Sequence, residues 1–177
     1  YKTLFVNIEE PLFEDGPRAD TVENNALIRI LKFDVAEKKC IAQYAYKLDK
    51  IAYAPNPETA FKINGVSDIL SLGNNKLLVM ERSASKGRIP ATIKLFIADL
   101  NGATDISFTT LKNNRSFIAA KKSLLLNMDD LGIYTDNLEG ITFGPLLPNG
   151  HKTLLFVADN NFSNTEKAQL LLFEVLE

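Results

Sequence analysis

The sequence predicts an all-β fold built from four-stranded meanders, the blade pattern of a β-propeller. Three observations predict it. Apolar runs rich in Val, Ile, Leu and Phe recur between turn signals such as Gly73-Asn74-Asn75 and Pro148-Asn149-Gly150-His151. Runs this short, bounded this way, suit strands and not helices. Three of them also resemble one another: KTLFVNIEE from Lys2, KLLVMERS from Lys76 and KTLLFVADNN from Lys152. Each ends on acidic or amide residues. Finally, each is followed by a second apolar run: ALIRILKFDV (26–35), TIKLFIADL (92–100) and QLLLFEVLE (169–177). Repeated four-stranded units are the mark of a propeller.

The elements follow in order. The first unit holds KTLFVNIEE, ALIRILKFDV and CIAQYAYKL (40–48). The second opens with NGVSDILSLG from Asn64 as its innermost strand. Its fourth strand is either TDISFTTL (104–111) or KKSLLLNM (121–128). The third opens with NLEGITFGP from Asn137. The later apolar run of each unit carries an acid near its end: Asp34, Asp99 and Glu174. The segment DTVENNALIRIL (20–31) has an Asp cap and could pass for a helix, but the repeat makes its second half a strand. MDDLG (128–132) reads as one helical turn.

The first unit lacks its opening strand and the last its closing one. The expectation is therefore a single domain of about two and a half blades, at about 1–50, 60–128 and 136–177. A closed propeller has four to eight blades, so the chain reads as part of a larger one. The competing architecture is a β-sandwich, which also shows short strands at regular spacing.

Composition narrows the function classes. The 177 residues suit roughly one domain. Lys plus Arg is 20 and Asp plus Glu is 22, a net charge of −2. That balance argues against a basic nucleic-acid surface. The 46% apolar and 24% charged content is that of a globular domain. The single cysteine, Cys40, forbids an internal disulfide and reads as a small buried apolar residue. No apolar run approaches the ~18 residues of a membrane helix. The opening YKTLFVNIEE shows no signal-peptide pattern and starts inside a strand-like run.

Polar residues at corresponding strand ends gather in a propeller. Three groups recur here: Glu9-Glu10 with Glu81-Arg82 and Asp159-Asn160-Asn161; Ser67-Asp68 with Asn137 and Glu139; and the acidic loop 9–20, including Asp15. The register of Glu9 against Asp159 is open by one residue. Clustered carboxylates repel unless neutralised, and Asp, Glu and Asn are the ligand types Ca²⁺ takes. No EF-hand spacing is present, so calcium is permitted, not signalled. Arg82 is suited to a phosphate or carboxylate, or to pairing with its acidic neighbours. An acid followed by Gly, as at Glu139-Gly140, is poorly explained by packing.

Other chemistries lack support. His151 sits in a turn and reads as exposed; a Ser-His-acid triad would have to use it. There is no GxSxG elbow and no phosphate-binding GxxxxGK[ST] loop. The sequons at Asn114 and Asn161 carry little weight.

The runs IEEPLFEDGP, QYAYKLD, GVSDIL, LLVMERS, DNLEGITFGPLLPNG and LLFVADNNFS, in this order, resemble the esterase-like domains of the phytase-like family. The resemblance spans Leu4 to Val175. It implies a fold like a six-bladed propeller, the earlier blades lying before Tyr1. It implies an extracytoplasmic bacterial protein, periplasmic, cell-surface or secreted. It further implies a hydrolase of small-molecule phosphate or carboxylate esters, with Glu9, Asp15, Glu81, Asn137, Glu139, Asp159 and Asn160 facing a central channel. On this reading Glu139, Glu81 and Arg82 are catalytic. Glu9, Asp15, Asn137, Asp159 and Asn160 would hold Ca²⁺, by analogy with propeller phytases. Glu10 departs from the family, where a small residue is commoner. The alternative is a non-catalytic propeller that binds a ligand or protein. Open sheet edges would pair with an N-terminal part or another copy of the chain.

Overall fold

The computed structural model describes residues 2–20, 26–112 and 116–176. Its described residues form ten strands in three antiparallel sheets. The first sheet holds β1 (Thr3–Asn7), β2 (Leu27–Asp34) and β3 (Lys39–Lys47) in that order. The second holds β4 (Lys62–Gly73), β5 (Lys76–Ser85), β6 (Arg88–Asp99) and β7 (Lys121–Asn127). The third holds β8 (Leu138–Phe143), β9 (Thr153–Ala158) and β10 (Gln169–Glu174). One 3-10 turn, Met128–Leu131, leads out of β7, capped by the Asn127 side chain and ended by Gly132 in the left-handed region.

The all-β expectation holds, strand by strand. The fourth strand of the second sheet is β7, within 121–128; residues 104–111 form no strand. The latter segment instead lies along β3, where the Ile106 N–H donates to the Gln43 carbonyl at 2.8 Å. The helix-like segment 20–31 becomes strand from Leu27; residues 21–25 lie outside the described residues, as does the Asn114 sequon. Cys40 is corrected: it is exposed, not buried. It sits beside an irregularity in the β2–β3 register, where Phe33 pairs with Cys40 and Lys32 with Ala42.

Each hairpin follows from its turn residues. Asn74 and Asn75 both take φ near +50° between β4 and β5, as a two-residue type I′ turn requires. Gly87, at φ +78°, turns β5 into β6, and a Cβ there would stand 2.7 Å from the Asn56 carbonyl oxygen.

The second sheet is covered on both faces. Leu77 and Val79 of β5 pack with Ile28, Ile30, Tyr46 and Leu48 of the first sheet's side. Leu78 and Met80 pack with Leu138, Ile141 and Phe156 of the third. Successive strand residues point to opposite faces, so β5 feeds two cores in alternation. Each fully buried Leu or Met stabilises the fold by about 1.5–3 kcal/mol. The same alternation sends Glu81 toward the first sheet and Arg82 toward the third.

Candidate functional site

The inner strands β4 and β8 carry the same local device. In β4 the pairing steps from Val66–Glu81 to Asp68–Met80, leaving Ser67 in a bulge. In β8 it steps from Leu138–Ala158 to Gly140–Val157, leaving Glu139 in a bulge. A bulge re-aims a side chain next to a site.

The register of the three sheets follows from the acids at their far ends. Asp34, Asp99 and Glu174 pair across with Thr3, Lys76 and Thr153. Six positions further along, the corresponding residues are Glu9, Arg82 and Asp159. The two bulges give the same alignment, pairing Glu81 with Ala158 in the comparison. The one-residue ambiguity is thereby resolved: Arg82, not Glu81, is the partner of Glu9 and Asp159.

Arg82 joins the three sheets. Its Nη2 donates to Glu9 Oε1 at 3.2 Å, just beyond β1. Its Nη1 donates to the side-chain oxygen of Asn137, before β8. The same nitrogen lies 3.8 Å from Glu139 Oε1. Asn137 Nδ2 donates to Glu139 Oε1 at 2.6 Å, closing the group. Glu9 and Glu139 are exposed at 56% and 42% of their side chains, and Arg82 at 23%. The Arg82 Nε is buried with no hydrogen-bond partner. Water can therefore reach the carboxylates, while the guanidinium retains donor capacity.

Neighbouring groups hold this cluster in place. The Val66 N–H donates to the Glu9 carbonyl at 3.0 Å. Gly65 permits that approach, since a Cβ there would stand 3.0 Å from both Glu9 Cγ and its carbonyl oxygen. Asp68 accepts from the Ile141 N–H at 2.8 Å, tying β4 to β8. Asp136 is buried and accepts from the Tyr134 hydroxyl, the Lys167 N–H and the Asn137 N–H at 2.7–2.9 Å. Burial opposes its charge, but these bonds and Lys167 outweigh it and hold the carboxyl below its ordinary pKa. The Asp159 N–H reaches the Asn137 carbonyl at 3.3 Å.

Of the residues expected at the site, Glu9, Arg82, Asn137 and Glu139 come together, with Asp159 adjacent through its backbone. Asn160 caps its own turn, its Oδ1 accepting from the Phe162 N–H at 3.2 Å. Asp15 lies elsewhere: it is buried and accepts from Arg29 Nε and Nη2 at 2.6 and 2.7 Å. Glu10 pairs with Arg18.

Glu81 is also apart, 1% exposed in the interface of the first two sheets. It accepts from the Tyr46 hydroxyl at 2.7 Å, the Asp49 N–H at 2.9 Å, and Asn64 Nδ2 and Lys122 Nζ at 2.6 Å each. Burial first, and the Glu81 charge second, push the Tyr46 phenol far above its ordinary value. Asp49 is held low: burial opposes its charge, but Lys122 and Lys94 outweigh that. This network joins sheets and offers no path to a substrate.

The residues do not form a calcium cage. Among the described residues no three Asp, Glu, His or Cys side chains converge as metal ligands. Asp15 is held by Arg29, and a guanidinium already sits between Glu9 and Glu139. His151 is an exposed turn residue beside Glu174, as expected. A cleft of about 450 Å³ lies between Tyr53, Arg88, Asp129 and Thr135, and Arg82 does not line it. Asp136, Tyr46, Asn64 and Lys122 escaped the sequence reading. Asp136 had a signal, its place directly before Asn137; Lys122 had none.

Fold and cluster define an all-β protein whose exposed polar group is assembled from three successive sheets. A family model described as phytase-like, esterase-like activity of phytase, matches residues 1–162. The chain belongs to that phytase-like family. No curated protein and no solved structure matches it. Among the described residues no helix is long and apolar enough to cross a membrane.

Proposed function

We propose that the chain is an ester-hydrolysing unit of a β-propeller and that Glu9, Arg82, Asn137 and Glu139 form its reaction centre. One observation carries the reading: a partly exposed guanidinium is shared by two water-accessible carboxylates and an amide from three sheets. Family membership supports the hydrolase class, and the three successive meanders support the propeller.

Arg82 is suited to the oxygen on which negative charge develops as water attacks an ester. Such preorganised donors supply much of the stabilisation in ester hydrolysis. Glu139 is suited to take the attacking water's proton, since its Oε1 is held by Asn137 while the side chain remains open to solvent. Asn137 is a positioning residue for both. No step passes through calcium.

The test is turnover of p-nitrophenyl esters by the purified chain and its variants. Arg82→Lys keeps the charge and loses the planar fork; it should lower kcat with little change in Tm. If no ester is turned over and Arg82→Ala only lowers Tm, the cluster is a clasp between sheets. The chain is then a binding module.

A further inference from the structure

Resting on the ester-hydrolase reading, we propose that the substrate is an uncharged carboxylic ester and not a phosphate ester. The charge around Arg82 is the reason. Glu9 and Glu139 both contact that one guanidinium. Asp159 adjoins Asn137, and Asp68 is fastened two residues beyond Glu139, at Ile141. Two carboxylates thus share a single cation, with two further acids on the adjoining backbone.

The excess extends over the whole end of the molecule. Segments 8–20, 48–61, 86–87, 128–137 and 159–168 leave the sheets at the end where Arg82 stands. Together they carry twelve Asp or Glu and four Lys or Arg. Of the basic groups near this end, Arg18 is taken by Glu10 and Arg29 by Asp15. Lys112 stands over the Phe13 ring and Lys167 over that of Tyr134, and Lys50, Lys86 and Arg88 lie further along the same loops. Lys122 and Lys94 lie in the other interface, with Glu81 and Asp49. A phosphate ester would meet like charge on approach and at the site, which slows encounter and costs affinity.

A neutral ester meets no such opposition. Its charge develops only in the transition state, on the carbonyl oxygen, toward which the partly exposed Arg82 guanidinium can donate. The same end also presents apolar groups. Phe13 is 86% exposed and Phe162 fully exposed, on the corresponding loops after β1 and β9. Such side chains suit an apolar acyl chain, and the backbone of Phe162, at φ +54°, holds that loop tip in the left-handed region.

The step balances without a co-reactant beyond water. Water oxygen bonds to the ester carbonyl carbon as Glu139 takes a proton from it. The carbonyl electron pair moves to oxygen, beside Arg82. That pair returns, the bond to the alcohol oxygen breaks, and Glu139 gives the proton to the departing alkoxide. The products are a carboxylic acid and an alcohol.

The experiment measures kcat/KM of the purified chain on p-nitrophenyl acetate, butyrate and phosphate, in EDTA and in millimolar Ca²⁺. The proposal expects both carboxylic esters to exceed the phosphate at least tenfold in either buffer. It expects butyrate to exceed acetate, and the Phe13→Ser, Phe162→Ser double variant to remove that preference through KM. A phosphate ester preferred in either buffer overturns the proposal and leaves the hydrolase reading standing. No turnover of any ester overturns both. Titration with inorganic phosphate gives a readout independent of turnover: no saturation below about 10 mM is expected, and submillimolar binding overturns the charge argument.

Discussion

Glu81 and Arg82 are adjacent on β5, yet Glu81 bonds Tyr46 of the first sheet while Arg82 bonds Asn137 beside the third. Strand alternation makes this unavoidable in a sheet covered on both faces. It separates a buried structural acid from a partly exposed member of the proposed reaction centre at neighbouring positions. Substitutions at the two sites should therefore fail differently.

Glu81→Ala removes the acceptor for four donors in a buried interface, leaving the Tyr46 hydroxyl and the Asp49 N–H without it while Lys122 and Asn64 keep Asp49. Leaving buried donors unsatisfied costs about 1–3 kcal/mol each. At this chain length each kcal/mol lowers Tm by about 2–4 °C. Tyr46→Phe leaves Glu81 one donor short and should cost about 1–3 kcal/mol. Thermal melts check both; a Glu81→Ala protein as stable as the parent would contradict the network's role.

Glu139→Gln should behave in the opposite way. The side chain is exposed, and Gln can still accept from Asn137. Tm should move by no more than a degree or two, while ester turnover falls by roughly 10²–10⁴ as the general base is lost. An unchanged kcat would remove Glu139 from the reaction.

Gly65→Ala tests the support of Glu9. The added Cβ would meet Glu9 at 3.0 Å, mostly against backbone. Overpacking of this kind costs about 1–3 kcal/mol. It should also draw Glu9 away from Arg82, so activity should fall further than stability accounts for. Equal activity per folded molecule would show that Glu9 is dispensable.

The acid limb of stability should depend on Asp136. Its folded pKa lies below the ordinary 3.8, so the folded state favours the charged form. That contribution is complete above the unfolded value and is lost as pH falls through the lower folded value. Melts from pH 7 down to pH 2.5 should show a shallower acid loss for Asp136→Asn than for the parent. The two curves falling in parallel would refute this.

Calcium provides a direct check on the charge arrangement. A ligand at 100 times its Kd adds about 2.7 kcal/mol. Millimolar Ca²⁺ should leave Tm unchanged, because Arg82 stands among the acids and Asp15 is held elsewhere. A rise of several degrees would place a cation there.

The sequence by itself determined the strands and their grouping. Short apolar runs, Asn-Asn and Gly turns and the repeat of KTLFVNIEE, KLLVMERS and KTLLFVADNN are local, so they survive in one dimension. The same signals brought Glu9, Arg82, Asn137 and Glu139 into view as candidates, since acids at equivalent strand ends must converge. Tertiary structure alone decided which face each took. A shift of one residue reverses every side chain, and the bulges at Ser67 and Glu139 set that register only through pairing with β5 and β9. It alone decided that Asp15 meets Arg29, and that Lys122 reaches Glu81 from a strand 41 positions away. Nothing local records such a pairing, because burial of an ion is settled by what the fold brings to its other side.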